Sequence, residues 1–153
     1  VFGRQGLLGG AVEALGLRIP LTQVAVILAV TFVASPFYIR AAISAFEAVD
    51  RNLVDAARTL GASSPRVFFR IVLPLAAGGL LAGATLALAR GLGEFGATLV
   101  FAGSLQGTTE TLPLAVYGEL GSDESAALAI GAVLIVLSAM MLVGSKLVPR
   151  WRR

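Results

Sequence analysis

The chain has 153 residues, 57% hydrophobic and only 14% charged, with a mean hydropathy of +0.88 and a formal net charge of +3. A soluble domain carries roughly a quarter charged residues to cover its surface, and a disordered chain needs low hydrophobicity, so both classes are excluded in favour of a membrane protein. With no Cys and no His, there is no basis for a disulfide framework, a thiolate site, a metal centre of the zinc or haem kind, or His-based catalysis.

The first twenty residues hold Arg4, Glu13 and Arg18 without an apolar run, which does not fit a signal peptide. The chain starts at Val1 rather than Met, and we expect it to be the C-terminal portion, residues 1–153, of one longer membrane domain. From Ile19 to Ile39 there are 21 uncharged residues between Arg18 and Arg40. At about 1.5 Å per residue such a run crosses a bilayer. It predicts a first span over about 19–46, capped by Thr22 and kinked at Pro36.

A polar stretch follows. Asp50 is a plausible N-cap, Arg51 to Leu60 has helix-forming composition, Gly61 suits a left-handed C-cap, and Ser64-Pro65 restarts a helix with Pro at its first position. The result is a helix, a tight turn and a helix over about 50–64. The second uncharged run, Ile71 to Ala89, has 19 residues, and the predicted span extends over about 68–99 with Arg90 and Glu94 inside it. Phe95 to Thr109 is apolar but only 15 residues long, too short to cross, and reads as the outer end of that span followed by a re-entrant or interfacial segment. The third run, Ser125 to Ser145, has 21 residues and predicts a span over about 123–147, with Ser122 as cap and Asp123 and Glu124 as favourable first-turn charges. Glycines cluster in the second span and just after it, at Gly78, Gly79, Gly83, Gly91, Gly93 and Gly96, where small residues let membrane helices approach closely. The fold class is therefore all-α: a polytopic membrane protein with about three transmembrane helices, a helical loop at one face and a re-entrant or interfacial segment.

Orientation follows from the basic residues. Arg40, Arg51, Arg58, Arg66 and Arg70 lie between the first two spans and Lys146, Arg150, Arg152 and Arg153 follow the third, so nine share one side. The other side has Arg4 and Arg18, while Ser104 to Glu124 carries only acids: Glu110, Glu119, Asp123 and Glu124. The positive-inside rule places the 50–64 loop and the C-terminus in the cytoplasm. An odd number of spans then puts residue 1 outside, which implies earlier spans. The high pI reflects topology and anionic lipid headgroups rather than nucleic acid, because four basic residues just past a span are ordinary.

A charge inside a span costs roughly 2.5 to 3.5 kcal/mol on insertion scales, so it is paired or lines a watery path. The four-residue spacing of Arg90 and Glu94 puts both on one helical face. One reading is an intrahelical ion pair that locks packing. The other has Arg90 facing a path and attracting an anion, with Glu94 tempering the attraction and Gly93 and Gly96 giving the bend. Thr98, Ser104 and Thr108 either donate to such an anion or back-bond to their own helix.

Two stretches carry a resemblance. DAARTLGASSPRVFFRIVLPLA fits the pattern E-A-A, three residues, G, nine residues, I-x-L-P at Ala56, Ala57, Gly61, Ile71, Leu73 and Pro74, with Asp55 for the Glu. This resembles the EAA loop of binding-protein-dependent ABC importer permeases. ALARGLGEFGATLVFAGSLQGTTETLPLAVYGEL, from Ala87 to Leu120, is similar to the molybdate branch of that family, in its A-R-x-L-G-E-F-G-A-T-L, F-A-G and T-L-P-L-A-x-Y segments. The likeness runs from about Leu7 to Val148, and sulfate permeases share much of it.

The resemblance implies that Asp55, Ala56, Ala57, Gly61 and Ala62 form a cytoplasmic coupling helix seated on a separate ATPase subunit, which holds the ATP and Mg. The chain itself lacks a phosphate loop, for its single lysine lies in VGSKLV, and it is not expected to be catalytic alone or to bind a cofactor or metal. The further partners implied are a periplasmic or lipoprotein oxyanion-binding protein, a second permease copy as a homodimer, and the lipids of a bacterial inner membrane. Arg90, Glu94, Phe95, Gly96 and Thr98 are the candidate path or ion-pair residues. Molybdate is the expected cargo, with sulfate, thiosulfate or tungstate as alternatives. A channel, a secondary transporter or an anchoring subunit are rivals from other classes, though no second half matching the break at Gly91 to Gly96 is present.

Overall fold

The computed structural model describes residues 21–147, with side chains to residue 144. The first two residues of the predicted first span, Arg4, Arg18 and the basic tail Arg150, Arg152 and Arg153 lie outside the described residues, as does the side chain of Lys146. Helix α1 runs Gln23–Glu47, α2 Arg51–Thr59, α3 Ser64–Val67, then a π-helical turn Phe68–Val72, α4 Leu73–Leu92, α5 Gly96–Ala102, α6 Leu112–Glu119 and α7 Glu124–Leu147. Among the described residues there is no strand. The protein is an all-α, polytopic membrane chain. Among the described residues, Gln23–Glu47, Ser64–Leu92 and Glu124–Gly144 are the three helical stretches long and apolar enough to cross a bilayer.

The first span begins where Thr22 Oγ1 accepts the amide of Ala25 at 3.4 Å, and it continues through Pro36 as one helix of 25 residues. The third differs from expectation at its cap. Asp123, not Ser122, caps α7: its Oδ1 accepts the Ala126 amide at 3.0 Å and the Ser125 hydroxyl at 2.6 Å. Ser122 instead donates its hydroxyl to Glu119 Oε2 at 2.8 Å. A carboxylate one residue nearer the helix reaches the free amides and also meets the helix dipole, so it outcompetes the hydroxyl. The second span, expected over about 68–99 with a bend at Gly93 and Gly96, has other bounds and is interrupted at that bend. It starts earlier, at Ser64, carries a π turn, and stops at Leu92; Gly96–Ala102 is a separate helix.

The chain divides into two compact units, one made of the chain up to Ala34 with Arg90–Ser138, the other of Ser35–Ala89 with the chain from Ala139. In the second, α4 lies so close to α1 that a Cβ at Gly79 falls 2.6 Å from Ala45 Cβ and one at Gly83 falls 2.5 Å from Ala41 Cβ. In the first, Gly91 meets Val30, whose Cγ1 is 2.7 Å from where a Cβ would stand. The buried apolar side chains are mostly small, Ala25, Ala29, Ala76, Ala87, Ala102 and Ala127 with Val67 and Leu114. Large ones point outward, Phe32 at 79% and Ile135 at 71% exposure. Small inside and large outside is the pattern of helices packed in lipid, where no hydrophobic force drives Leu or Phe inward.

Candidate coupling loop and the ion pair at the helix break

The loop at 50–64 is built from backbone hydrogen bonding. Asp50, in an extended conformation, accepts the amide of Asn52 at 2.9 Å and starts α2. At the other end Gly61 has φ +81°, its amide donates to the Arg58 carbonyl at 2.9 Å, and the Ala62 amide donates to the Ala57 carbonyl at 3.1 Å. Those two bonds around a left-handed residue make a Schellman motif. The small half-buried pair Ala57 and Ala62 stands where that motif brings side chains together. Gly61 is glycine for its φ alone, since a Cβ there meets nothing within 4 Å. Thr59 adds a hydroxyl bond to the Ala56 carbonyl at 2.8 Å.

No residue of α2 is buried. Asp55 and Ala56 are exposed, Asp55 lies 3.8 Å from Arg58 in an exposed pair of little energetic weight, and Leu53 and Leu60 present apolar side chains, Leu60 at 88% exposure. The helix after the turn starts with Ser64 behind the N-cap Ser63, so Pro65 takes the second helical position rather than the first. The loop thus presents a short, capped helix with a free face. The five residues singled out there separate by role: Asp55 and Ala56 on the free surface, Ala57, Gly61 and Ala62 in the turn that fixes it.

The second group sits at the break between α4 and α5. Arg90 lies in the last turn of α4, where a cation suits the helix dipole. Glu94 lies beyond the helix end, its amide donating to the Gly91 carbonyl at 3.0 Å. Its Oε2 accepts Arg90 Nη1 at 3.0 Å and its Oε1 accepts the Ala97 amide at 3.0 Å. The pair is therefore not intrahelical, as the spacing alone suggested, because the helix ends between the two residues. One buried carboxylate ties the last turn of α4 to the first turn of α5. Arg90 keeps 40% of its side chain exposed against 9% for Glu94.

The bend is not a glycine conformation. Gly93 and Gly96 both lack a left-handed φ, and neither is crowded by a neighbour. Phe95 is the N-cap residue of α5 but gives no side-chain cap; Glu94 supplies that bond, while the Phe95 ring meets the Tyr117 ring of α6 edge-on at 5.3 Å. Thr98 is completely buried, and its Oγ1 has no hydrogen-bond partner among the described residues, so it does not back-bond to its helix. A buried hydroxyl left unpaired costs free energy and is an unused donor. Ser104 and Thr108 are exposed in the loop after α5.

Sequence reasoning overlooked Thr109. It is buried and accepts the Leu105 amide at 3.0 Å, while the Leu105 carbonyl receives the amides of Thr108, Thr109 and Glu110. With Gly103 and Gly107 at φ +71° and +75°, this compacts the segment that joins α5 to α6. The glycines and threonines were the signal available. Among the described residues, no cluster of acidic, His or Cys side chains fit to hold a metal occurs.

Relatives share this architecture's sequence. The molybdenum transport system permease protein of Mycobacterium tuberculosis is 44% identical over 143 residues, covering 94% of this chain and 54% of its own length. That of Escherichia coli K12 is 39% identical over 152 residues, covering 97% of this chain and 65% of its own. A probable sulfate transport system permease protein of Chlorokybus atmophyticus is 32% identical over 145 residues, covering 94% and 51%. The chain thus spans about half the length of the first of these relatives. Residues 14–153 match the family described as binding-protein-dependent transport system inner membrane component. With a match over nearly its whole length, the chain belongs to that family of inner-membrane transport components.

Proposed function

We propose that the chain is part of the permease subunit of an ATP-driven importer that carries an oxyanion, molybdate, into the cytoplasm. The observation that carries this reading is the 50–64 hairpin: a capped helix with no buried residue, closed by a Schellman turn, at the motif spacing of the family. Such a helix seats in a groove of another protein and moves with it as a rigid body. The partner that suits it is a separate ATPase subunit, which binds and hydrolyses ATP with Mg. A binding protein delivers cargo to the outer face, and a second permease copy completes the path. The loop and the C-terminus face the cytoplasm on this reading, as the nine-to-two split of basic residues supports.

Energetics favour a pump. A dianion entering against an inside-negative potential is opposed by roughly 4.6 kcal/mol per 100 mV, at about 2.3 kcal/mol per charge, so a passive pore loses it. Along the path, the partly exposed Arg90 attracts the oxyanion while Glu94 holds the break and lowers the net charge. Molybdate is favoured by two relatives named for molybdenum transport; sulfate is the second reading, favoured by the likeness to a sulfate permease. The test is reconstitution of the full-length permease with its ATPase subunit in proteoliposomes. Labelled molybdate uptake that needs both ATP and the binding protein, and that excess sulfate does not compete away, is expected. ATP-independent uptake refutes the importer, and efficient sulfate competition refutes the choice of cargo.

A further inference from the structure

The π turn Phe68–Val72 sits between the 50–64 loop and the second membrane helix, and it has an identifiable cause. Pro74 is the second residue of α4. It has no amide to offer the Arg70 carbonyl four residues back, and its ring collides with that carbonyl in a regular α-helix. Widening the preceding turn by one residue relieves the collision, and the Leu73 amide accordingly donates to the Phe68 carbonyl, five residues back. Such single-turn bulges carry one residue more than the α-helix and recur at functional sites.

The turn continues directly from α3 and also contacts α2, the two helices of the loop. Its first residue, Phe68, places its ring 6.2 Å from that of Phe46 near the end of α1, and meets Phe69 edge-on at 5.2 Å. One side of the turn is thus attached to the loop, the other to the membrane helix, with an aromatic contact as pivot. We propose that this π turn is the hinge of the coupling apparatus. Motion of the loop is absorbed there by backbone carbonyls exchanging amide partners one residue apart, while Phe46 and Phe68 act as positioning residues that hold the pivot. The proposal rests on the reading of 50–64 as the docking loop.

The test uses the full-length permease assembled with its ATPase subunit and binding protein in nanodiscs. Deleting Val72 together with Pro74→Ala removes both the extra residue and the blocked bond, leaving an uninterrupted α-helix with both flanks in register. The ratio of stimulated to basal ATP hydrolysis is expected to fall about tenfold, a usual size for coupling between sites. A ratio equal to the parent's overturns the hinge. Absence of stimulation in the parent itself overturns the docking-loop reading, and the hinge with it. A measurement with the π turn intact does not depend on the deletion variant folding. With spin labels at Asn52→Cys and Leu81→Cys, the distance across the turn is expected to shift by about 2 Å or more between the nucleotide-free and ATP-plus-vanadate states. An invariant distance means that loop and helix move as one body, and overturns the proposal.

Discussion

At Gly61 the requirement for glycine is purely conformational, since φ is +81° and a Cβ meets nothing within 4 Å. A left-handed residue with a side chain costs about 1–2 kcal/mol, more when β-branched, while Asn tolerates the region. Gly61→Asn is therefore expected to keep binding-protein-stimulated ATPase activity, and Gly61→Val to lose most of it in complexes that still assemble. Undiminished stimulation in the Val variant removes Gly61 from the coupling turn. Arg90 poses a different question, because Glu94 is bonded on both sides of the helix break. Arg90→Gln leaves the buried carboxylate with the Ala97 amide and without this cation, at a cost below the about 3–5 kcal/mol of a fully buried pair because Arg90 is 40% exposed. Adding Glu94→Gln keeps an acceptor for that amide and removes the stranded charge, so assembly should return. If Arg90 attracts cargo, labelled uptake per assembled complex stays about tenfold low in the double variant, as expected for loss of a charge that steers an anion. Uptake at the parental rate makes the pair structural.

Among the elements, packing of α4 on α1 is set by contact distances that sequence could suggest but not rank. Gly78 and Gly79 are adjacent, yet a Cβ at Gly78 meets nothing within 4 Å while one at Gly83 would fall 2.5 Å from Ala41 Cβ. Gly78→Ala should leave thermal stability in detergent unchanged or raise it, since Ala is the better helix former by about 1 kcal/mol. Gly83→Ala must push the helices apart, and overpacking of this kind costs about 1–3 kcal/mol. Equal melting temperatures for the two variants would falsify the close approach. The three spans and the hairpin were legible in the sequence because charge spacing and turn chemistry are local signals. Asp50 and Gly61 stand where their residue types belong. The place of the break, Gly93–Phe95, was legible from its glycines, but what holds it was not, because that is a carboxylate reaching forward to Ala97 and back to Arg90, and a spacing of four fits an intrahelical pair equally well. Nor was α6, whose LPLAVYGE has no polar face to give periodicity, nor the π turn, since Pro74 announces a disturbance without saying whether the helix kinks or widens.

For the whole molecule, the distribution of charge makes the sharpest claim. Nine of the 12 basic residues lie between the first two spans or after the third, while Ser104 to Glu124 has acids and no Lys or Arg. If the positive-inside rule governs insertion, the 50–64 loop and the loop after α5 face opposite sides of the membrane. Both offer an exposed serine, Ser63 and Ser104, and the 153 residues contain no cysteine to compete for a thiol reagent. Ser104→Cys, in a full-length permease free of other accessible thiols, should react with an impermeant maleimide added to intact spheroplasts. Ser63→Cys should react only after the membrane is opened. Because Ser63 precedes α3 without a side-chain cap bond, its replacement removes no hydrogen bond from the loop, and a failure to label cannot be laid to a collapsed hairpin. Labelling of Ser63→Cys from outside, with Ser104→Cys protected, would invert the molecule. It would place the helix proposed to dock on an ATPase where no ATP is found, and so remove the importer reading.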